Sequence, residues 1–394
     1  MVETKAAPTQ RILSVDVLRG LTVAFMILVN DPGDGHVAYA PLDHAPWNGW
    51  TPTDMVFPTF LFLVGCSIVF SITSRLKRGD SKSRIALQVI RRTIYLLAIN
   101  YAIRLIPQFH YGRMRLFGVL PRIAICYLIA ALLFLWLQRA RWIAVAVVTL
   151  LVGYWALMRF VPIPGAGMPV HDFPLMDQFN NLPSYIDRGF NDFTQRFLHT
   201  GSLYEKTRDP EGILSTLPAV GTALLGVLNG KLLRSNTPPV KVSAILLGGG
   251  VLSIALGYLW NPWFPFNKNL WTSSYVLLAA GIAALLLGIS FFLFDVKKWQ
   301  HTSKMIRILA WPCIVFGSNA IVAYVTPSIY GKILGYIHIP DGDRTVTPLR
   351  WLYLHVFAHW GSTANTSLAY SLFYVVLCFI PAWLLWRKGM FLRV

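Results

Sequence analysis

Residue types able to move a proton or polarise a carbonyl gather at one border of apolar sequence. His44 opens the stretch His44-Ala-Pro-Trp-Asn-Gly-Trp-Thr-Pro-Thr-Asp54-Met-Val-Phe-Pro58, and Leu-Val-Asn30-Asp31-Pro-Gly closes the apolar run before it. Polar groups where hydrocarbon begins are costly unless they are paired or used. A carboxylate such as Asp54 can orient an imidazole and fix its tautomer, and an amide such as Asn30 can polarise a carbonyl or hold an oxyanion. His44, Asn30 and Asp54 are therefore the candidate catalytic residues, and Trp47 beside them is a candidate substrate contact.

Four further strips carry charge or amides into apolar surroundings. In Arg11-Ile-Leu-Ser-Val-Asp16-Val-Leu-Arg19-Gly, the spacing puts Asp16 and Arg19 on one helical face, so that they neutralise each other or leave Arg19 to hold an anion. Arg113-Met-Arg115-Leu-Phe-Gly118-Val-Leu-Pro121-Arg122 places Arg122 within an apolar run, where it needs a partner. Arg208-Asp209-Pro-Glu211-Gly reads as a helix start with Asp209 as N-cap, which accounts for Glu211 only in part. Asn319, in Phe-Gly317-Ser-Asn319-Ala-Ile, is either interhelical glue or a ligand contact. Arg19, Arg115, Arg122 and Asn319 are the candidate cofactor contacts, and Asp209 and Glu211 join Trp47 as candidate substrate contacts. No metal site is expected, because His355-Val-Phe-Ala-His359 lacks the glutamate of a zinc protease motif. The cysteines, Cys66, Cys126, Cys313 and Cys378, have no ligand spacing and read as small core residues.

The elements that must position these groups are membrane helices. The chain is 55% hydrophobic and 13% charged, with mean hydropathy +0.53; a soluble domain carries about 25% charge. The pattern predicts an all-α polytopic bundle with about ten transmembrane helices, each needing on the order of 20 apolar residues. They run near 13–32, 55–74, 86–106, 116–137, 142–161, 212–233, 241–260, 270–294, 308–328 and 366–386. A short re-entrant helix at 348–360 would make an eleventh element. The triple glycine 248–250 lies inside a span and fits close helix packing.

The net charge of +18 does not point to nucleic acid, because of where the charge lies. Lys and Arg cluster at Arg75–Arg92, Lys231–Lys241, Lys297–Arg307 and Arg387–Arg393, which alternate to one side of the ten spans. That bias predicts N-in and C-in, with the basic side facing the cytosol and anionic lipid headgroups. The chain reads as one integral-membrane domain, 1–394, in which the outer segment 162–210 folds as a cap over the end holding His44.

The strips quoted above, in order, resemble heparan-α-glucosaminide N-acetyltransferase and its bacterial homologues. The resemblance continues through Tyr185-Ile-Asp-Arg188, Asn267-Lys-Asn-Leu-Trp271 and the tail Arg387-Lys-Gly-Met-Phe-Leu-Arg-Val394. It implies a transmembrane acyltransferase that takes acetyl from cytosolic acetyl-CoA and gives it to an outward-facing sugar or amino sugar. The family's proposed catalytic histidine falls at His44 and its assisting asparagine at Asn30. The histidine either carries the acetyl group or removes a proton within a ternary complex. The chain begins almost at the Arg11 motif, so it resembles the bacterial form without the lumenal N-terminal domain, in an inner membrane. CoA, the acceptor glycan and membrane lipids are the implied partners, and a homodimer is compatible with the pattern. The rival reading is a transporter or flippase for a glycan or lipid precursor. It explains the helices and intramembrane arginines, but not why His, Asn and Asp meet at one edge.

Overall fold

The computed structural model describes residues 12–106 and 108–391; Arg11, which opens the first motif, and Arg393 and Val394 of the tail lie outside the described residues. Helices dominate: α1 Leu13–Asn30, α2 Val56–Lys77, α3 Lys82–Leu105, α4 Val119–Leu137, α5 Ala140–Phe160, α6 Leu182–Leu198 and α7 Thr216–Leu233. They continue with α8 Pro239–Trp260, α9 Ser273–Phe291, α10 Trp299–Thr302, α11 Lys304–Ser318, α12 Ala320–Gly335, α13 Pro348–Leu352 and α14 Ala364–Arg387. The described sheet is one short antiparallel hairpin, β1 Ile339–Asp341 with β2 Arg344–Val346.

The chain is an all-α, multi-pass membrane bundle. Among the described residues, 8 helices are long and apolar enough to cross a bilayer, or 9 if α11 and α12 count as one bent span. Two expected spans therefore differ from straight apolar rods. The stretch 86–106 does form a helix, α3, but Arg84, Arg91, Arg92 and Arg104 keep it outside the apolar set. The stretch 308–328 is broken: α11 and α12 meet at 81°, with Asn319 between them at φ −127°, ψ 45°. Gly317, just before the break, lies against the α1 backbone, where an added Cβ would stand 2.0 Å from the Asp16 carbonyl oxygen. The expected eleventh element is α13 followed by a π turn at Tyr353–Phe357.

Packing between helices is set by small residues, because lipid offers no hydrophobic gain for helix association. A Cβ on Gly65 of α2 would meet the Ala223 carbonyl at 1.9 Å, and one on Gly226 of α7 would meet the Phe62 carbonyl at 1.9 Å. In the triple glycine only Gly250 has such a role, against Gly281 of α9; Gly248 and Gly249 have no neighbour within 4 Å. The core between these helices is apolar, including Leu61, Ala223, Val227, Tyr275 and Val276.

The two ends of the bundle differ. At one end, the Asp295 carboxylate accepts the N–H groups of Leu13 and Ser14 at 2.9 and 3.0 Å, satisfying donors that a helix start leaves unpaired. At the other end lie the loop after α1, the start of α2, and the segment 261–272 between α8 and α9. The segment 162–210 packs at this same end: Trp47 Nε1 donates to the Met176 carbonyl at 2.7 Å, and Thr200 and Ser202 donate to the carbonyls of Tyr111 and Arg113. Within it, α6 starts at Asn181, whose side chain accepts from the Ser184 N–H at 2.9 Å.

Candidate active site

Asp54 is the pivot of the site. The turn Pro52–Met55 that leads into α2 is closed by a capping box between Thr51 and Asp54. Asp54 Oδ2 accepts the N–H groups of Thr51 at 2.9 Å and Ala45 at 3.1 Å. Its Oδ1 lies 2.7 Å from His44 Nδ1. Tyr275 Oη donates to the Asp54 main-chain oxygen at 2.5 Å, tying this turn to α9. Every side-chain partner of Asp54 is a donor, as an ionised carboxylate requires. We assign the imidazole proton to Nδ1 on that basis, which leaves Nε2 with its lone pair. The Asp54 side chain is 1% exposed and that of His44 is 46% exposed, so a buried carboxylate holds a ring that a ligand can reach.

Lys268 completes the cluster. Its Nζ lies 3.1 Å from both imidazole nitrogens of His44 and 3.7 Å from Asp54 Oδ1. Equal distances to both nitrogens put the ammonium against the ring, not in line with one lone pair. Burial lowers the Lys268 proton affinity below its ordinary value, and the carboxylates of Asp54 and Glu211 oppose that by favouring the cation. The backbone under it is pinned by Asn267, whose amide donates to the Trp47 carbonyl at 3.1 Å and to Asn48 Oδ1 at 3.2 Å. Asn267 Oδ1 in turn accepts the Leu270 N–H at 2.9 Å.

Next to this cluster stands an ion triad. Arg115 Nε donates to Asp209 Oδ2 at 2.7 Å and its Nη2 to Asp209 Oδ1 at 2.5 Å, a bidentate fork, and Nη2 also reaches Glu211. Burial disfavours the Arg115 cation, yet the two carboxylates hold its pKa above the ordinary arginine value. Tyr204 lies under the guanidinium, 4.8 Å from ring centroid to Cζ. This pairing corrects the expected helix start at Asp209 and Pro210. Asp209 accepts from Arg115 and from the N–H groups of Tyr204 and Glu211, while α7 begins at Thr216 with Ser215 as its N-cap residue. The structure thus joins Arg115, expected on the cofactor, to Asp209 and Glu211, expected on the substrate.

Arg122 is 1% exposed. It donates from Nη2 to the Gly212 carbonyl at 3.0 Å and to Ser215, and stacks over Trp271 at 5.2 Å. Its Nε and Nη1 have no hydrogen-bond partner among the described residues. The Gly212 turn is held from the other side by Asp187, which accepts the Ile213 N–H at 2.8 Å. Burial raises the Asp187 pKa to about 7, with the Ile213 N–H opposing. Trp47 is fixed by its bond to Met176 and by Arg208, which lies 4.4 Å above its ring.

The remaining expected residues lie apart. Asn30 ends α1 with an exposed side chain that makes no hydrogen bond among the described residues. Arg19 and Asn319 sit along the other half of α1, away from Asn30. Arg19 pairs with Asp16 at 3.1 Å and donates to the Gly317 carbonyl at 3.2 Å and to Ser67 Oγ at 2.7 Å. Asn319 donates to the Met390 carbonyl at 3.2 Å. Among the described residues, no three His, Cys, Asp or Glu side chains converge as a metal site; His355 Nε2 lies 2.8 Å from Asp341 Oδ1. Asn267, Lys268 and Asp187 entered the sequence analysis only as members of strips that carry the resemblance, with no role assigned, and Tyr275 did not enter it. The capping-box spacing of Thr51 and Asp54 was a local signal, but nothing local links Lys268 to His44.

Asp187 supports a test of its own. A carboxyl whose pKa is raised on folding stabilises the fold most when protonated. Its contribution is full below the unfolded value of about 4, and is lost as pH rises through about 7, where the folded group ionises. Asp187→Asn keeps the Oδ1 acceptor for Ile213 but cannot ionise. Thermal melts from pH 4 to 8 should show the wild type losing more stability toward pH 8 than the variant. Parallel profiles would refute a neutral Asp187.

Fold and site define a multi-pass membrane protein whose carboxylate-held histidine stands at one end of its helical bundle. The sequence model described as "Heparan-alpha-glucosaminide N-acetyltransferase, catalytic" matches residues 11–245, and the chain belongs to that family. The human heparan-alpha-glucosaminide N-acetyltransferase is 28% identical across 98% of this chain. The mouse protein of the same name is 30% identical across 82% of it. The chain spans 60% of the length of the human relative and 54% of the mouse one. His44, Asp54, Arg115, Arg122, Asp209 and Glu211 fall inside the matched residues, and Lys268 falls beyond them.

Proposed function

We propose that this chain is a transmembrane acetyltransferase that moves acetyl from cytosolic acetyl-CoA to the amine of an amino sugar at the His44 end, facing the periplasm of a bacterial inner membrane. The observation that carries the reading is the His44–Asp54 contact at 2.7 Å in a chain whose named relatives are N-acetyltransferases. With Nδ1–H bound to Asp54, Nε2 takes the proton that the acceptor amine loses as its nitrogen attacks the acyl carbon. The C–S bond of the thioester breaks, and the departing thiolate takes that proton from His44. Glu211, 12% exposed in its side chain and close to Lys268, offers a carboxylate to the acceptor's ammonium, which gives one proton to solvent to become the neutral amine that attacks.

The donor reading draws on the other half of α1. Arg19 and the Gly317–Asn319 break meet there, and the rise of a helix puts Arg19 roughly 16 Å from Asn30. A long, flexible CoA with its phosphates near the Arg19 end and its thioester at His44 spans that depth. Purified protein in detergent, given radiolabelled acetyl-CoA and glucosamine, should form N-acetylglucosamine. Arg19→Ala should raise the KM for acetyl-CoA by about 5- to 150-fold, since a phosphate contact contributes on the order of 1–3 kcal/mol. Wild-type protein that neither binds CoA nor acetylates any amino sugar would refute the reading, and sugar or lipid translocation without CoA would replace it with a transporter.

A further inference from the structure

Acyl transfer places negative charge on the acyl oxygen as the carbonyl carbon becomes tetrahedral, and a group at the reacting nitrogen has to meet that charge. At the His44 end, Arg115 is committed to Asp209 and Glu211. Arg208 is paired with Glu205 and stacked on Trp47. Arg122 donates into the Gly212 turn. Lys268 is the cation in hydrogen-bond range of His44 itself, 3.1 Å from Nε2. Asn30, the residue expected to hold the oxyanion, makes no hydrogen bond to the imidazole among the described residues.

We propose that Lys268 is a further catalytic residue, whose ammonium donates to the acyl oxygen during transfer at His44. The inference rests on the acetyl-transfer reading above. An ammonium has three donors; with Nζ against the face of the His44 ring and 3.7 Å from Asp54 Oδ1, it keeps a donor to point at a ligand. Its side chain is 20% exposed, so a ligand approaching Nε2 also reaches Nζ. Lys268 keeps its protons throughout: the amine's lone pair forms the C–N bond, the C=O electrons collect on the oxygen that Lys268 holds, and they return as the C–S bond breaks. The Asn267 contacts to Trp47 and Asn48 keep the donor in place before the substrate arrives, so no reorganisation accompanies the charge.

The test is steady-state kinetics with acetyl-CoA and glucosamine on full-length wild type, Lys268→Met and Lys268→Arg. Lys268→Met should lower kcat by about 10²–10³-fold with both KM values nearly unchanged, and Lys268→Arg should recover part of the loss. A merely structural lysine would not produce that split, because lost packing impairs binding and stability together. A Lys268→Met protein with kcat within about threefold of wild type, or one whose loss lies wholly in KM, overturns the proposal while leaving the acetyl-transfer reading intact. A wild type that transfers no acetyl group removes both. Should Lys268→Met fail to fold, Lys268→Gln takes its place, with the same kcat loss expected and the same outcomes against it.

Discussion

His44→Ala should lose acetyl transfer by about 10²–10⁴-fold, the range of a positioned general base, while the protein folds and melts as the wild type does. The two halves of that expectation have separate causes. The imidazole offers the Nε2 lone pair at this border, and Asp54 holds it from Nδ1 at 2.7 Å. No helix depends on it, because His44 lies in the loop between α1 and α2 and its side chain is 46% exposed. When it is removed, Asp54 keeps the N–H groups of Ala45 and Thr51 and its neighbour Lys268. Asp54 therefore does not become an orphaned buried charge. Turnover of acetyl-CoA with glucosamine, read beside a thermal melt, decides it. Full turnover in His44→Ala would remove the assigned role but spare the membership of the family.

Arg115→Ala should cost about 3–5 kcal/mol of stability, because breaking a buried pair from one side leaves the other charge unmet. Asp209 is 0% exposed in its side chain and Glu211 12%, and both are held by the one guanidinium. Removing it leaves two carboxylates facing each other under Tyr204, with only main-chain donors for Asp209. The same turn presents the Gly212 carbonyl to Arg122 and the Glu211 carboxylate to the site, so activity should fall with stability. Arg115→Lys restores the charge but not the bidentate fork, and should recover only part. A melting temperature within about 2 °C of wild type for Arg115→Ala would show that the triad contributes little to the fold.

The triad also shows how local sequence reading misses pairing. Asp209-Pro210 has the composition of a helix start, and within a short window that is the best use of an aspartate before a proline. What overrides it is an arginine far back in the chain, brought within 2.7 Å by the packing of α4 against α7. A charge-assisted, bidentate contact in a dry setting outweighs an N-cap, so the helix starts later, at Thr216. The spans behave similarly. Apolar length alone located the straight helices, because a bilayer requires it. It did not foresee the break at Asn319, which depends on how closely the Gly317 backbone approaches α1.

The sequence by itself determined that this is a helical membrane protein, that His44 and Asp54 stand at one border of the apolar segments, and which family the motifs resemble. Those properties are written in short windows: an apolar run long enough for a bilayer, a Thr-x-x-Asp turn, and a string of motifs in order. Only the tertiary structure decided which charges meet. It brought Lys268 to His44 across the bundle, joined Arg115 to Asp209 and Glu211, and set the Gly317–Asn319 break against Arg19 of α1. The physical reason is that ion pairing acts through space between residues remote in the chain. Several arginines and several acids have many combinations, and the packing of Gly65 on Gly226 and of the segment 162–210 against Trp47 selects one.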